Sequence, residues 1–459
     1  MANDLLVQGG TVVTGGTRAR ADVLIEEGRI VALGEVEAPA DVRRIEADGC
    51  LVLPGAVDVH THVFGRIAAD TTSALHGGTT TLVSFSPEAS GERPAETVRR
   101  MIADEIPDAA IDIGIHGVVW EPEAYRRGDL ADLAELGATS VKLWLAYREL
   151  GIIADDAQTF AVMREAADEG VLVQAHCENG YLVGALRDEF AASGRTELSR
   201  HGAARPQLLE AEAVHRFLAI ARLAGADAYV VHVSGAAALA EILRARAEGG
   251  TVHAEACAHH LAFDEREYDG ANAARYLMTP PLRREDDRRA LWDGLESGAL
   301  DVYASDHSHM TLGEKLAGGD DFTLVEPGVP GVEARLAVGF TLGVESGLLT
   351  PERLVEAACS APARIFGLHP RKGSIAPGSD GDVVVWDPSV RWTLTPDRLH
   401  DGLDYTPYEG IVIRGAPRAV VVAGEVAVEE GRELERTRPA RYLHRERRRG
   451  VREASPARA

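Results

Sequence analysis

A regular alternation of apolar, strand-like runs with longer amphipathic segments constrains this chain more than any other feature. Counting from LVLPGAVDVH, the runs TTTLVSFS, AIDIGIHGVV, TSVKLWLAY, GVLVQAH, AYVVHVS, GTVHAEA and LDVYASD bring the strand candidates to eight. Near-continuous apolar strands separated by helices are the pattern of a parallel sheet covered on both faces. The intervening segments supply that cover. In QLLEAEAVHRFLAIARLAG and AAALAEILRARAEGG, apolar residues recur at three- and four-residue intervals. A further helix is punctuated by Thr350 as N-cap, Pro351 at its first position and Gly367 past its end. Eight such strands fit a closed (β/α)8 TIM barrel, with an open doubly wound sheet as the alternative.

Both ends of the chain are β in character. Residues 5–34 hold LLVQGGTVV and ADVLIEEGRIVALG, and residues 382–430 hold DVVVWDP and GIVIRGAPRAVVVAGEVAVEE, short strands divided by Gly turns. At 459 residues the chain accommodates a barrel of about 250 residues and a smaller companion. The tail from Arg436 to Ala459 holds nine arginines and two glutamates, against a net charge of -24 for the whole. Disorder or docking on a neighbouring subunit is expected for it, ahead of a nucleic-acid arm. The acidic balance elsewhere repels phosphate backbones, so no nucleic-acid partner and no membrane partner is expected, and a small molecule is. The start Met1-Ala2-Asn3-Asp4 lacks a basic-then-apolar leader, and no run approaches the roughly 18 apolar residues of a membrane span. A cytoplasmic location follows as an expectation. Cys50, Cys177, Cys257 and Cys359 form no CxxC pair and read as isolated buried thiols.

The chemistry-bearing residues stand at the ends of the apolar runs. In Asp58-Val59-His60-Thr61-His62, both imidazoles share one face of a strand and could grip one cation. His176, His232 and Asp306 close three further runs, and the C-terminal ends of parallel barrel strands converge on one mouth. A shared metal explains this set better than unrelated polar residues, each needing its own partner. Lys142 sits inside the apolar run Ser140-Val141-Lys142-Leu143-Trp144, where an ammonium beside divalent cations would be repelled. A carbamate formed from its neutral amine and carbon dioxide could bridge two metals. Schiff-base chemistry and a snorkelling lysine are the alternatives. Two divalent ions, with zinc suited to this ligand set, would make a bridging hydroxide near neutral pH, and Asp306 is placed to move protons.

HTH at 60–62, VKLWLAY, QAHCENG at 174–180, VVHVSG at 230–235, MTPPLR at 278–283 and ASDH at 304–307 occur in order. Together they resemble the cyclic amidohydrolases: hydantoinases, dihydropyrimidinases, allantoinases and dihydroorotases. KGSIAPGSDGDVVVWDP and DYTPYEGIVIRGAPRAVVVAGEV extend the likeness to the C-terminal part. The resemblance implies a barrel at 54–371, a small β-sandwich from 1–53 and 372–435, and a homotetramer or homodimer. It further implies two metals bridged by carboxylated Lys142, with His60, His62 and Asp306 on one and His176 and His232 on the other. Tyr147 matches a tyrosine that stabilises the developing oxyanion, Thr279 a residue whose main chain holds the ring amide, and Trp144 an aromatic pocket position. The implied reaction is hydrolytic opening of a cyclic ureide or imide, hydantoin or dihydropyrimidine first, giving an N-carbamoyl amino acid. Allantoinase and then dihydroorotase activity are the alternatives, and an inactive scaffold is the non-enzyme one. Phe64 stands where dihydroorotases carry an arginine two residues after the second histidine. In the segment 326–333, Pro327 precedes GVPGVE, which leans toward allantoinases, and a proline offers a ligand no N–H.

Overall fold

The computed structural model describes residues 4–87 and 90–447. Eight parallel strands follow one another in chain order: β1 (Ala56–Asp58), β2 (Thr79–Phe85), β3 (Asp112–Val118), β4 (Ser140–Trp144), β5 (Leu172–His176), β6 (Ala228–Val230), β7 (Val252–Cys257) and β8 (Val302–Ala304). Just past β1 and β8, Thr61–His62 pairs in parallel with His307–Ser308 and joins the two ends of the sheet. Across the same seam, Asp58 Oδ1 accepts from the Ser305 amide at 3.2 Å. The fully buried Arg335 donates to Tyr303 O at 2.7 Å and faces Asp58 at 3.4 Å. The sheet is thus a (β/α)8 barrel, and the open-sheet alternative is excluded.

The helices dock as their periodicity demands. Val214, Phe217, Leu218 and Ala221 of the helix Gln207–Ala224 lie on one face and are buried. Each large apolar side chain so placed contributes about 1.5–3 kcal/mol. Thr350 caps its helix by accepting from the Arg353 amide at 3.1 Å, and Gly367 follows the end with φ +73°. Between them the helix passes through a π turn at Glu356–Ser360.

Strands from both chain ends form two further sheets. One holds Leu5–Gln8, Asp22–Glu26, Arg29–Gly34 and Arg43–Glu46; the other mixes Thr11–Thr14, Thr17–Arg20 and Leu51–Pro54 with Val383–Thr393, Val412–Val422, Glu425–Glu429 and Arg432–Glu433. Val7, Ile25 and Ile45 of the first pack with Val52, Val385 and Val421 of the second in one apolar layer. Leu51–Pro54 leads straight into β1 through Gly55, where a Cβ would lie 2.1 Å from Thr80 Oγ1. Only glycine passes that point.

Residues 436–447, the described part of the basic tail, run along the chain's own terminal sheets and barrel: the Thr437 and Arg438 amides donate to Glu425 at 2.9 and 3.1 Å. Tyr442 bridges to Ile113, and the Leu443 amide donates to Ile113 O at 2.7 Å. Arg445 is fully buried, because its guanidinium finds acceptors in Ser140 Oγ at 2.9 Å and in Ile115 O. The expectation for residues 448–459 lies outside the described residues. Among the described residues, no helix is long and apolar enough to cross a membrane.

Candidate metal centre and active site

Lys142 lies within β4, and His176 is the last residue of β5. His60 follows β1, His232 follows β6 and Asp306 follows β8, each by two residues. All open on one mouth. There His60, His62, Lys142, Trp144, Tyr147, His176, His232, Thr279, Asp306 and Pro327 line a single cavity of about 390 Å³. Every site residue singled out in the sequence is therefore in one place.

The donors converge. Asp306 Oδ1 is 2.9 Å from His60 Nε2 and 3.7 Å from His62 Nε2. Ligand-type atoms of His60, His232 and Asp306 all lie within 4.8 Å of one another. The His176 and His232 rings are 4.6 Å apart and those of His60 and His232 5.4 Å, so the cluster is continuous. Among the described residues, His232 Nδ1 is buried with no hydrogen-bond partner, an orphan that a cation at this point would satisfy. Imidazoles and a carboxylate suit zinc or a similar divalent ion, so the residues present fit a metal centre.

Two of the ligand-type side chains sit on strained backbone, with φ +38° at His232 and +50° at Asp306. Tyr147 beside them has φ +63°. Bulky residues adopt this region rarely, and such strain collects at functional sites. Electrostatics sort the protonation states. Burial pulls Lys142 down to about 8, against the opposing pull of Asp306 and Glu255, so a neutral amine is accessible near physiological pH. Its Nζ lies 4.9 Å from the Phe85 ring centroid and 5.7 Å from that of Trp144. At 2 % exposure Lys142 does not snorkel to solvent. Burial opposes ionisation of Asp306, yet His60 beside it holds its carboxyl well below the usual range. Burial raises the Tyr147 phenol, so it stays protonated and can donate. The Tyr147 hydroxyl meets Thr279 Oγ1.

Several contributing residues escaped the sequence reading. Glu255 of β7 touches His60 Nδ1, accepts from the His232 amide at 3.0 Å and from Tyr229 OH at 2.7 Å. It thereby leaves His60 Nε2 for Asp306. Its signal was a carboxylate inside an apolar run, AEAC, ahead of two histidines. Glu178 Oε2 takes His176 Nε2 at 2.7 Å and Arg205 Nη1 at 2.5 Å. Burial opposes its ionisation, but Arg205 and His176 hold it at about 2. Glu178 fixes the His176 ring much as carboxylates fix metal-binding imidazoles elsewhere. His309 also lines the cavity and lies 3.2 Å from the buried Asp70.

A closed parallel barrel with clustered histidines, a carboxylate and a lysine at its mouth has the make-up of a candidate metal-dependent hydrolase site. The chain matches the amidohydrolase family over residues 51–427. It belongs to that family. It is 37 % identical over 454 residues to a D-hydantoinase of Ralstonia pickettii, covering 96 % of this chain and 99 % of the relative. A D-hydantoinase of Rhizobium radiobacter is 38 % identical over 440 residues, covering 93 % and 96 %. The crystal structure of dihydropyrimidinase from Brevibacillus agri superposes with a TM-score of 0.92 at 33 % identity, covering 97 % of this chain and 99 % of that one.

Proposed function

We propose that this protein hydrolyses a cyclic ureide, a hydantoin or dihydropyrimidine ring, to an N-carbamoyl amino acid, as the names of its relatives suggest. The observation that carries the reading is the gathering of all the expected site residues around one cavity in a chain of this family. His60, His62, His176, His232 and Asp306 would hold two divalent ions, zinc being the natural occupant, with Lys142 between them as a carbamate. The carbamate forms when the neutral amine adds to carbon dioxide through a new N–C bond and releases one proton, which the lowered pKa of Lys142 favours. Bound ions would activate water and polarise the ring carbonyl.

The chain's own groups do the rest. Asp306 stays ionised, accepts the proton of the attacking water and delivers it to the leaving ring nitrogen. The Tyr147 hydroxyl donates to the oxygen on which charge develops, a role suited to a protonated phenol. Thr279 supplies main-chain groups to the ring amide, while Trp144 forms an apolar wall and Pro327 a rim without an N–H. All six ligand positions are filled, which favours an enzyme over an inactive scaffold. A cytoplasmic homotetramer or homodimer, with a sandwich of 1–53 and 372–435 on a barrel of 54–371, completes the proposal.

The test is a spectrophotometric panel of zinc-supplemented enzyme against dihydrouracil, hydantoin, 5-substituted hydantoins, allantoin and dihydroorotate, with a chelated control. Chelator-sensitive opening of hydantoin or dihydrouracil supports the reading. Preferred turnover of allantoin or dihydroorotate replaces the substrate assignment, and activity in metal-free protein revives Schiff-base chemistry.

A further inference from the structure

Behind the cavity wall lies a second set of ligand-type side chains. Cys257 ends β7, and His259 and His260 follow on the short helix Ala258–Ala262. Their exposures are 0 %, 0 % and 3 %, and none of the three lines the cavity. One ligand atom from each lies within 4.8 Å of the other two. The histidine rings are 4.3 Å apart and inclined at 63°.

The hydrogen-bond pattern around these residues leaves ligand-type nitrogens unsatisfied. His260 Nε2 donates to Pro280 O at 3.0 Å, which fixes the tautomer and leaves Nδ1 as a bare lone pair. Among the described residues, that Nδ1 is buried without a partner. His259, again among the described residues, has no partner at either ring nitrogen, although it is fully buried. Two adjacent imidazoles with three unsatisfied nitrogens are a heavy cost in a folded interior unless something occupies the space between them. Cys257 is a free thiol whose burial and neighbouring carboxylates hold it protonated, so an ion bound beside it has to displace the proton. Its Sγ is also within 4.8 Å of ligand-type atoms of His60 and Glu255. Glu255, however, is already taken up by His60, Tyr229 and the His232 amide.

We propose that Cys257, His259 and His260 form a buried site for a borderline-soft divalent cation such as zinc, separate from the catalytic centre. One thiolate and two neutral imidazoles match the ligand preference of that class of ion. On binding, the thiol gives its proton to solvent and its sulfur lone pair to the ion, while each imidazole contributes one nitrogen lone pair and no proton. The site carries a net single positive charge, and it would brace the end of β7 against the segment bearing Pro280, next to Thr279 at the cavity rim.

Cobalt(II) distinguishes the two centres, because none of the six ligands assigned to the catalytic cluster carries sulfur, and the loss of the signal with His260 ties it to the second set of residues. Enzyme loaded with cobalt(II) chloride should show a near-ultraviolet thiolate-to-cobalt charge-transfer band. Cys257→Ser should abolish the band and lower bound metal by about one equivalent per chain. His260→Gln keeps the thiol and should also reduce both signals, so it carries the test if the serine variant fails to fold. Wild-type protein without the band at full metal loading overturns the proposal, as do a band and metal content unchanged in either folded variant.

Discussion

The guanidinium of Arg445 donates to Ser140 Oγ at 2.9 Å, two residues before Lys142 on the same strand. Ser140 Oγ also meets His116 Nδ1 at 2.6 Å, and His116 Nε2 reaches Val59 O at 2.9 Å, next to His60. A tail residue thus supports the strands on which the site is built. Arg445→Leu removes the donor and leaves Ser140 Oγ and Ile115 O short of a partner. An uncompensated loss of this kind costs about 2–4 kcal/mol. Urea denaturation should therefore show a lower midpoint, with catalysis per folded molecule preserved. An unchanged midpoint would show that the tail does not support the barrel.

Lys142→Ala should lose both metal and turnover, since it deletes the only group proposed to bridge the two halves of the cluster. A small added carboxylic acid, able to occupy the space of the carbamate, should restore part of each. Metal analysis of the purified variant decides the matter, and full metal content would sink the carbamate bridge.

Much of this site was legible because its chemistry is local to strand ends. His60, His62, His176, His232 and Asp306 each interrupt or terminate an apolar run, and parallel strands bring such ends together. The supporting groups were less legible for a physical reason. Arg205 follows the short helix His201–Ala204, Lys315 lies on the helix Leu312–Leu316 and Arg445 in the tail, and their acceptors, carboxylate, carbonyl and hydroxyl oxygens, lie on other segments. Nothing in their local periodicity marks them as buried. The tail shows the same limit: nothing among its nine arginines singles out Arg445, which is buried by carbonyl and hydroxyl acceptors that the barrel strands assemble.

Asp306→Asn separates ligation from proton transfer. The amide retains an oxygen for a cation but cannot accept a proton, so a large part of the metal should remain while kcat falls about 100-fold or more. Steady-state rates beside metal content check this. Wild-type kcat in the variant would refute the assigned role.

Lys315 frames the last expectation. Its fully buried ammonium donates to Leu277 O at 2.5 Å, Glu326 O at 2.6 Å and Gly328 O at 2.7 Å. All three acceptors belong to residues that line the cavity, and Leu277 lies two positions before Thr279. One side chain therefore ties two rim segments together with all three of its hydrogens. Burial pulls its pKa down to about 7, with the Glu326 charge opposing. Above that pH the neutral amine has only two N–H donors for three carbonyls, so one tie is lost as pH rises. KM should accordingly rise above about pH 7 in the wild type, and Lys315→Met should have a raised KM with that pH step removed. A tenfold increase corresponds to about 1.4 kcal/mol, the scale of one lost hydrogen bond between rim segments. With the reacting groups untouched, kcat should change by less than about threefold. Equal falls in kcat and kcat/KM with unchanged KM would show instead that Lys315 acts on the chemical step, and an unaltered pH step would show that it does not titrate in this range.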